Sequence, residues 1–258
     1  MECIFCNSRK IANSVEHIVP ESFGNKVYVM QKGKVCDLCN GRFSKFEDTA
    51  LTNSIFIMER ARFGVETKKG QNAKGKINGL IIEGDILKRP NYLTVKGLTA
   101  ENLKDFNPKT EGGHLVVSSF SKSEVAASKL VLKIGFESIY TSQRPIFKKY
   151  EFKELKDFLT TKTNNDWPFL ITDFEVEKFR SVARFYHKFY LKNIHCDLKY
   201  LEVNESVLLF KFKYGKIAIT LNLINRNLNW VKTALAEDSK ATLFPEHFKN
   251  KLEKQKCQ

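Results

Sequence analysis

Four cysteines within the first forty residues have the spacing of a metal knot. Cys3-x-x-Cys6 and Cys36-x-x-Cys39 are separated by about thirty residues, a distance that lets four thiolates meet around one tetrahedral zinc. With four protein ligands such a zinc has no open position, so its task is structural. Two further polar elements lie against the knot: Glu16-His17 inside the loop, and Asn40 directly after the last thiolate. Closing the loop carries Glu16, His17 and Asn40 toward one point. Carboxylate and amide oxygens are hard donors that suit magnesium or manganese. An imidazole changes charge between about pH 5 and 8 and can take a proton from water. A plain zinc ribbon explains the cysteines but gives no reason for the acid-imidazole pair.

These residues carry a resemblance. Cys-x-x-Cys, then Glu16-His17-Ile18-Val19-Pro20-Glu21-Ser22-Phe23-Gly24, then Cys36-x-x-Cys39-Asn40-Gly41-Arg42-Phe43, resemble the HNH endonucleases, in the branch whose ββα-metal motif is braced by a four-cysteine zinc. The resemblance covers about residues 1–50. It implies that His17 is the general base, that Glu16 and Asn40 hold a catalytic divalent metal, and that Cys3, Cys6, Cys36 and Cys39 hold zinc. Other members of the family have Asp or His where this chain has Glu16, and His where it has Asn40. Glu47, seven positions after Asn40 on the same helix face, is a rival for the metal or its water.

The elements around these residues follow from their patterning. Residues 14–20 and 26–30 read as short strands, and Asn40 opens a helix with Phe43, Phe46 and Ala50 on one side. That is the strand, strand, helix order of a ββα-metal module. Arg42 and Lys45 fall on the helix's polar side, where they reach either phosphate or only water. Helical spacing continues through 51–64 and ends at Phe63-Gly64. Lys68 to Gly79 is basic, Gly-rich and almost free of apolar residues, and reads as a loop or hairpin tip. Strands are expected between Ile77 and Leu93 and at Leu115 to Val117. Ser121-x-x-Glu124 has the form of a capping box for a helix running to about Tyr140. A helix at Phe152 to Leu159, a strand at Phe169 to Ile171, and a hairpin over Val207 to Leu223 turning at Tyr214-Gly215-Lys216 follow. Arg180, Arg184, Lys188 and Lys192 recur every four residues and would form a basic ridge on a helix; a solvated outer face explains the spacing equally well. Residues 245–258 are polar and expected to fray.

Across 258 residues the formal charge is +14 and the pI about 9.4, which points to a polyanionic partner. Residues 1–50 hold seven basic and six acidic side chains, so they carry +1 and the remainder +13. The attraction for phosphate is therefore expected from the C-terminal part. No apolar run is long enough to span a membrane and no signal-like start is visible, so a cytoplasmic location is expected. Cys196 and Cys257 stand alone and read as a buried apolar residue and a terminal one.

The expectation is an α+β chain in two domains. Residues 1–64 form the zinc-braced ββα-metal nuclease module, and 65–258 a basic α+β domain for DNA binding and target choice, with Arg180, Arg184 and Lys188 as contacts beside Arg42 and Lys45. The reaction would be metal-dependent hydrolysis of DNA, double-stranded in the first instance, with structural Zn²⁺ and catalytic Mg²⁺ or Mn²⁺, serving restriction or phage defence and admitting a homodimer. Two other readings stay open: a zinc-finger-like nucleic-acid-binding protein without catalysis, and a nuclease directed at RNA.

Overall fold

The computed structural model describes residues 2–67, 69–85, 92–107, 109, 112–115, 120–161, 165–173 and 196–256. The basic ridge at Arg180, Arg184, Lys188 and Lys192 lies outside the described residues.

Where two strands were expected before the first helix, the described chain makes one antiparallel bridge, His17 opposite Val29. Ile18 N donates to Tyr28 O at 3.2 Å and Met30 N to Glu16 O at 2.8 Å. Buried Asn25 accounts for the short pairing. Its amide donates to Val19 O and Tyr28 O while its oxygen accepts from the Val27 and Tyr28 amides. One side chain thus takes up the backbone groups that the next rungs of a ladder would use.

Helix α1 (Asp37–Leu51) begins three residues before Asn40. Asp37 sits in its first turn, where a carboxylate is favoured by the helix dipole, and gathers Asn13 N at 3.1 Å, Ser14 N at 3.1 Å and the Ser14 hydroxyl at 2.6 Å. Helix α2 (Ser54–Arg62) is separated from α1 by Thr52-Asn53. Fully buried Asn53 forces the break: its oxygen accepts from Ser54 N and Ser121 N, each at 2.9 Å. Buried Arg60 reaches back from α2 to Ser22 O at 2.7 Å and Leu51 O at 2.8 Å.

A three-stranded antiparallel sheet, β1 (Lys74–Ile77), β2 (Leu80–Gly84) and β3 (Leu93–Lys96), packs on α2. The segment read as a loop or hairpin tip, Lys68 to Gly79, holds β1 and the Asn78-Gly79 turn of the β1-β2 hairpin. Gly75 is needed for packing: a Cβ there would lie 2.6 Å from Ile57 Cγ1. A small hairpin, β4 (Leu103–Asn107) with β5 (Gly112–Leu115), follows.

Helix α3 (Glu124–Ser142) is buried along most of its length. Its cap is Ser123, whose hydroxyl accepts from Ala126 N at 3.3 Å; Ser121 instead accepts from Ser54 N at 3.1 Å and so ties the start of α3 to α2. Helices α4 (Arg144–Lys149) and α5 (Lys153–Thr160) lie beside it. The last layer is a five-stranded antiparallel sheet of β6 (Phe169–Asp173), β7 (Cys196–Asn204), β8 (Val207–Tyr214), β9 (Ile217–Asn222) and β10 (Thr242–Phe244), in the order β10-β6-β9-β8-β7.

Strand alternation decides the two faces of that sheet. Leu208, Phe210 and Phe212 join the core shared with α3, whereas Val207 and Leu209 join Trp230, Val231 and Phe248 on the other side. The latter three come from or adjoin α6 (Val231–Glu237) and α7 (His247–Lys256). Residues 245–258, expected to fray, thus contain a helix held by buried Phe248. The architecture is α+β, and no helix among the described residues is long and apolar enough to cross a membrane.

Candidate active site

Cys3, Cys6, Cys36 and Cys39 offer four sulfurs that all lie within 4.8 Å of one another. Cys6 Sγ and Cys36 Sγ are 3.7 Å apart. Tetrahedral zinc with bonds of about 2.3 Å needs sulfurs about 3.8 Å apart, so the donor set fits that ion. The Cys39 hydrogen bond draws the Cys3 thiol down to about 4 and pushes Cys39 up, while burial raises Cys36. Phe5 fixes the knot to the rest of the chain, with ring centroids 4.6 Å from Phe43 on α1 and 4.9 Å from Phe136 on α3.

The Glu16-His17 segment is pinned just beyond. Ile18 and Val19 are buried, and Phe23, after Pro20 and a short 3₁₀ turn, packs 4.5 Å from Tyr214 and 5.4 Å from Phe56. Residues from α2 and β8 therefore fix the backbone that carries the imidazole. Within the ring, His17 Nδ1 is buried and has no hydrogen-bond partner among the described residues.

Glu16 is 6% exposed and its Oε1 is in contact with the ammonium of Lys133, a residue of α3 that is completely buried. The same ammonium lies 2.7 Å from Glu47 Oε1 on α1, 3.5 Å from Glu137 Oε2 one turn along α3, and 3.1 Å from the carbonyl oxygen of His17. Burial pushes the Glu16 carboxyl above its ordinary range against the pull of Lys133, and holds Glu137 well above it. Burial alone would lower the Lys133 ammonium, but the three carboxyls outweigh it and raise it. Glu16 Oε2 and both oxygens of Glu137 are buried without hydrogen bonds among the described residues.

Asn40 lies on α1, half-buried, and its Nδ2 donates to Ser14 Oγ at 2.9 Å. Its remaining oxygen is the atom of a kind that a hard cation takes. The structure thus ties Glu16 to Lys133 and Asn40 to Ser14. Arg42 donates to Thr160 O at 2.7 Å, at the end of α5, and Lys45 is exposed. Reasoning from the sequence missed Lys133 and Glu137. The available signal was an i,i+4 pair of opposite charge set among Leu130, Val131, Leu132, Ile134 and Phe136, on a helix apolar on nearly every side.

Residues 3–56 match the family model described as HNH endonuclease, a span from the first knot cysteine to the third residue of α2, and the cysteine cluster falls inside it. Over 94 residues the chain is 31% identical to a purine nucleoside phosphorylase of Bos taurus, a match covering 36% of this chain and 32% of that protein. The chain thus spans about a third of the length of that relative. No solved structure matches.

Proposed function

We propose that this protein is a metal-dependent endonuclease that hydrolyses DNA phosphodiester bonds, with His17 as the general base. The observation that carries the reading is the family match over residues 3–56, which contains Glu16-His17, Asn40 and all four knot cysteines. A phosphodiester anion repels hydroxide and has a poor leaving group, so the catalyst must supply a deprotonated water and positive charge. His17 takes the proton from the attacking water. Glu16, through the oxygen that Lys133 leaves unclaimed, and Asn40, through its amide oxygen, would hold Mg²⁺ or Mn²⁺. When bound, such an ion neutralises charge on the phosphate and at the leaving oxygen. The cysteines would hold Zn²⁺ and keep the loop closed.

The residues after 64 would bind the DNA backbone through their excess of basic charge, Arg180, Arg184 and Lys188 among them, with Arg42 and Lys45 nearer the chemistry. Double-stranded DNA, a role in restriction or phage defence, a cytoplasmic site and a homodimer belong to the same proposal. Binding of nucleic acid without cleavage is the second reading, and the engagement of Glu16 by Lys133 favours it, since that ion pair already gives the carboxylate a partner. Incubating the zinc-loaded protein with supercoiled plasmid, modified and unmodified, and with structured RNA, each with and without Mg²⁺ or Mn²⁺, separates them. Metal-dependent nicking that disappears in His17→Ala supports the nuclease; retention of DNA on the protein with no product under any metal supports the second reading.

A further inference from the structure

We propose that Lys133 is a positioning residue for the Glu16-His17 site, supplied by helix α3 from outside the segment that matches the nuclease family. The inference rests on the nuclease reading above and adds a residue to it. One ammonium touches Glu16 and the carbonyl oxygen of His17, two consecutive residues of the presumed catalytic segment, and Glu47 on α1. It therefore fixes the backbone of the imidazole, the side chain of its acidic neighbour and the helix that carries Asn40 relative to one another.

The composition of α3 argues that this contact is not a by-product of packing. Burying an ammonium and carboxylates carries a desolvation penalty, and an apolar side chain of similar volume often serves stability as well or better. The neighbours Leu130, Val131, Leu132, Ile134 and Phe136 are all apolar and buried, so a leucine or methionine at 133 would continue the pattern. The ammonium is also outnumbered, with three carboxyl groups facing it at one place. The atoms left over are the ones the chemistry would use. Glu16 is held by Oε1 and His17 by its carbonyl, while Glu16 Oε2 and His17 Nδ1 are buried and have no hydrogen-bond partner among the described residues.

The test uses the full-length, zinc-loaded protein and the double variant Lys133→Met/Glu137→Leu, which removes the ammonium together with the most deeply buried of its three carboxyl partners. Zinc content and thermal melting establish that it folds. Plasmid nicking gives kcat and KM separately, and titration with Mn²⁺ followed by electron paramagnetic resonance gives the affinity for the bare ion. Loss of position predicts unchanged zinc, a KM for DNA within about twofold, a kcat lower by 10- to 100-fold, and Mn²⁺ affinity lower by about tenfold. A structural role predicts kcat, KM and Mn²⁺ affinity all within twofold of the parent, and that result overturns the proposal. Should the double variant lose its zinc, Lys133→Gln/Glu137→Gln keeps hydrogen-bonding capacity without the charges and is read by the same outcomes. A parent protein that binds Mn²⁺ but cuts neither DNA nor RNA refutes the nuclease reading, and the Mn²⁺ titration still decides Lys133; a parent that neither cuts nor binds Mn²⁺ overturns both.

Discussion

Lys133 Nζ on α3 meets Glu47 Oε1 on α1 at 2.7 Å, although eighty-six residues separate them in the chain. The contact joins the N-terminal segment that matches the nuclease family to a buried helix of the later part of the chain. Asn53 does the same with Ser121 and Phe5 with Phe136. A module that folds around four cysteines thus depends on α3 for the electrostatic setting of its acidic residues. This dependence shapes what substitutions in the module should do.

The protein is expected to carry one tightly held zinc, with Cys3, Cys6, Cys36 and Cys39 as ligands. Structural zinc of this kind contributes folding free energy on the order of 10 kcal/mol. Cys36→Ser should lose the ion and unfold the module, as read by metal analysis and circular dichroism. A Cys36→Ser protein with full zinc content and parental stability would show that the ion is held elsewhere.

His17→Ala should reduce nicking by at least 10²-fold, the scale of general-base assistance, while zinc, fold and DNA binding persist. Glu16 behaves differently because of Lys133. Glu16→Ala removes the closest contact of the Lys133 ammonium and leaves a void beside it, so it should lower stability as well as rate, whereas Glu16→Gln keeps the volume and a hydrogen-bond acceptor and should mainly weaken the metal, so that excess Mn²⁺ partly restores its rate. Equal melting temperatures for the alanine and glutamine variants would contradict this packing and hydrogen-bond argument.

Neutralising Arg180, Arg184 and Lys188 together should weaken DNA binding and flatten its dependence on salt by about three in log-log slope, as fewer counterions are released. Filter binding at several salt concentrations checks this. An unchanged slope would place the phosphate contacts elsewhere among the +13 of residues 51–258.

Two glycines within helices should respond oppositely to alanine. At Gly135 a Cβ would lie 2.6 Å from Phe210 Cδ1 and 2.8 Å from Leu223 Cδ2, both fully buried, so Gly135→Ala should destabilise by about 1–3 kcal/mol despite alanine's better helix propensity. At Gly41 nothing lies within 4 Å, and Gly41→Ala should stabilise by about 0.5–1 kcal/mol. Denaturant titrations of both variants decide it; a stabilising Gly135→Ala would mean that the sheet moves aside easily.

Stability should fall in acid partly through Asp238. Burial would raise its carboxyl, but the Thr172 hydroxyl at 2.5 Å and the Lys211 ammonium at 3.1 Å together hold it below its ordinary value. A folded value below the unfolded one, which lies at about 3.9, gives stability that is present above that pH and lost as pH falls through the folded value. Asp238→Asn should therefore lower stability at pH 7 by up to about 1 kcal/mol, the scale left to a solvent-screened pair, with the gap to the parent closing below about pH 4. Urea unfolding across that range tests it, and a gap that stays constant would remove Asp238 from the account.

The sequence by itself determined whatever is encoded at short range. The two Cys-x-x-Cys pairs need only their own spacing and the reach of a loop, and their sulfurs do converge. Helical structure from Asn40 through 64, a helix over 152–159 and the β8-β9 hairpin were legible because an apolar periodicity, or a turn at Gly215, marks each; the start at Asp37 and the break at Thr52-Asn53 were not. Tertiary structure decided the rest. It stopped the pairing at His17-Val29, because the buried amide of Asn25 takes up the backbone groups. It chose the hairpin over the plain loop for the basic, Gly-rich segment after Lys68, and packed β1 on α2 where Gly75 must clear Ile57. It moved the cap of α3 from Ser121 to Ser123, because Ser121 was needed at Ser54. Above all it put Lys133 and Glu137 beside Glu16 and Glu47. A charged pair four residues apart on a helix looks the same in sequence whether it faces water or a buried site. Only the packing of α3 against α1 removes the water that would otherwise screen those charges and makes their contacts strong.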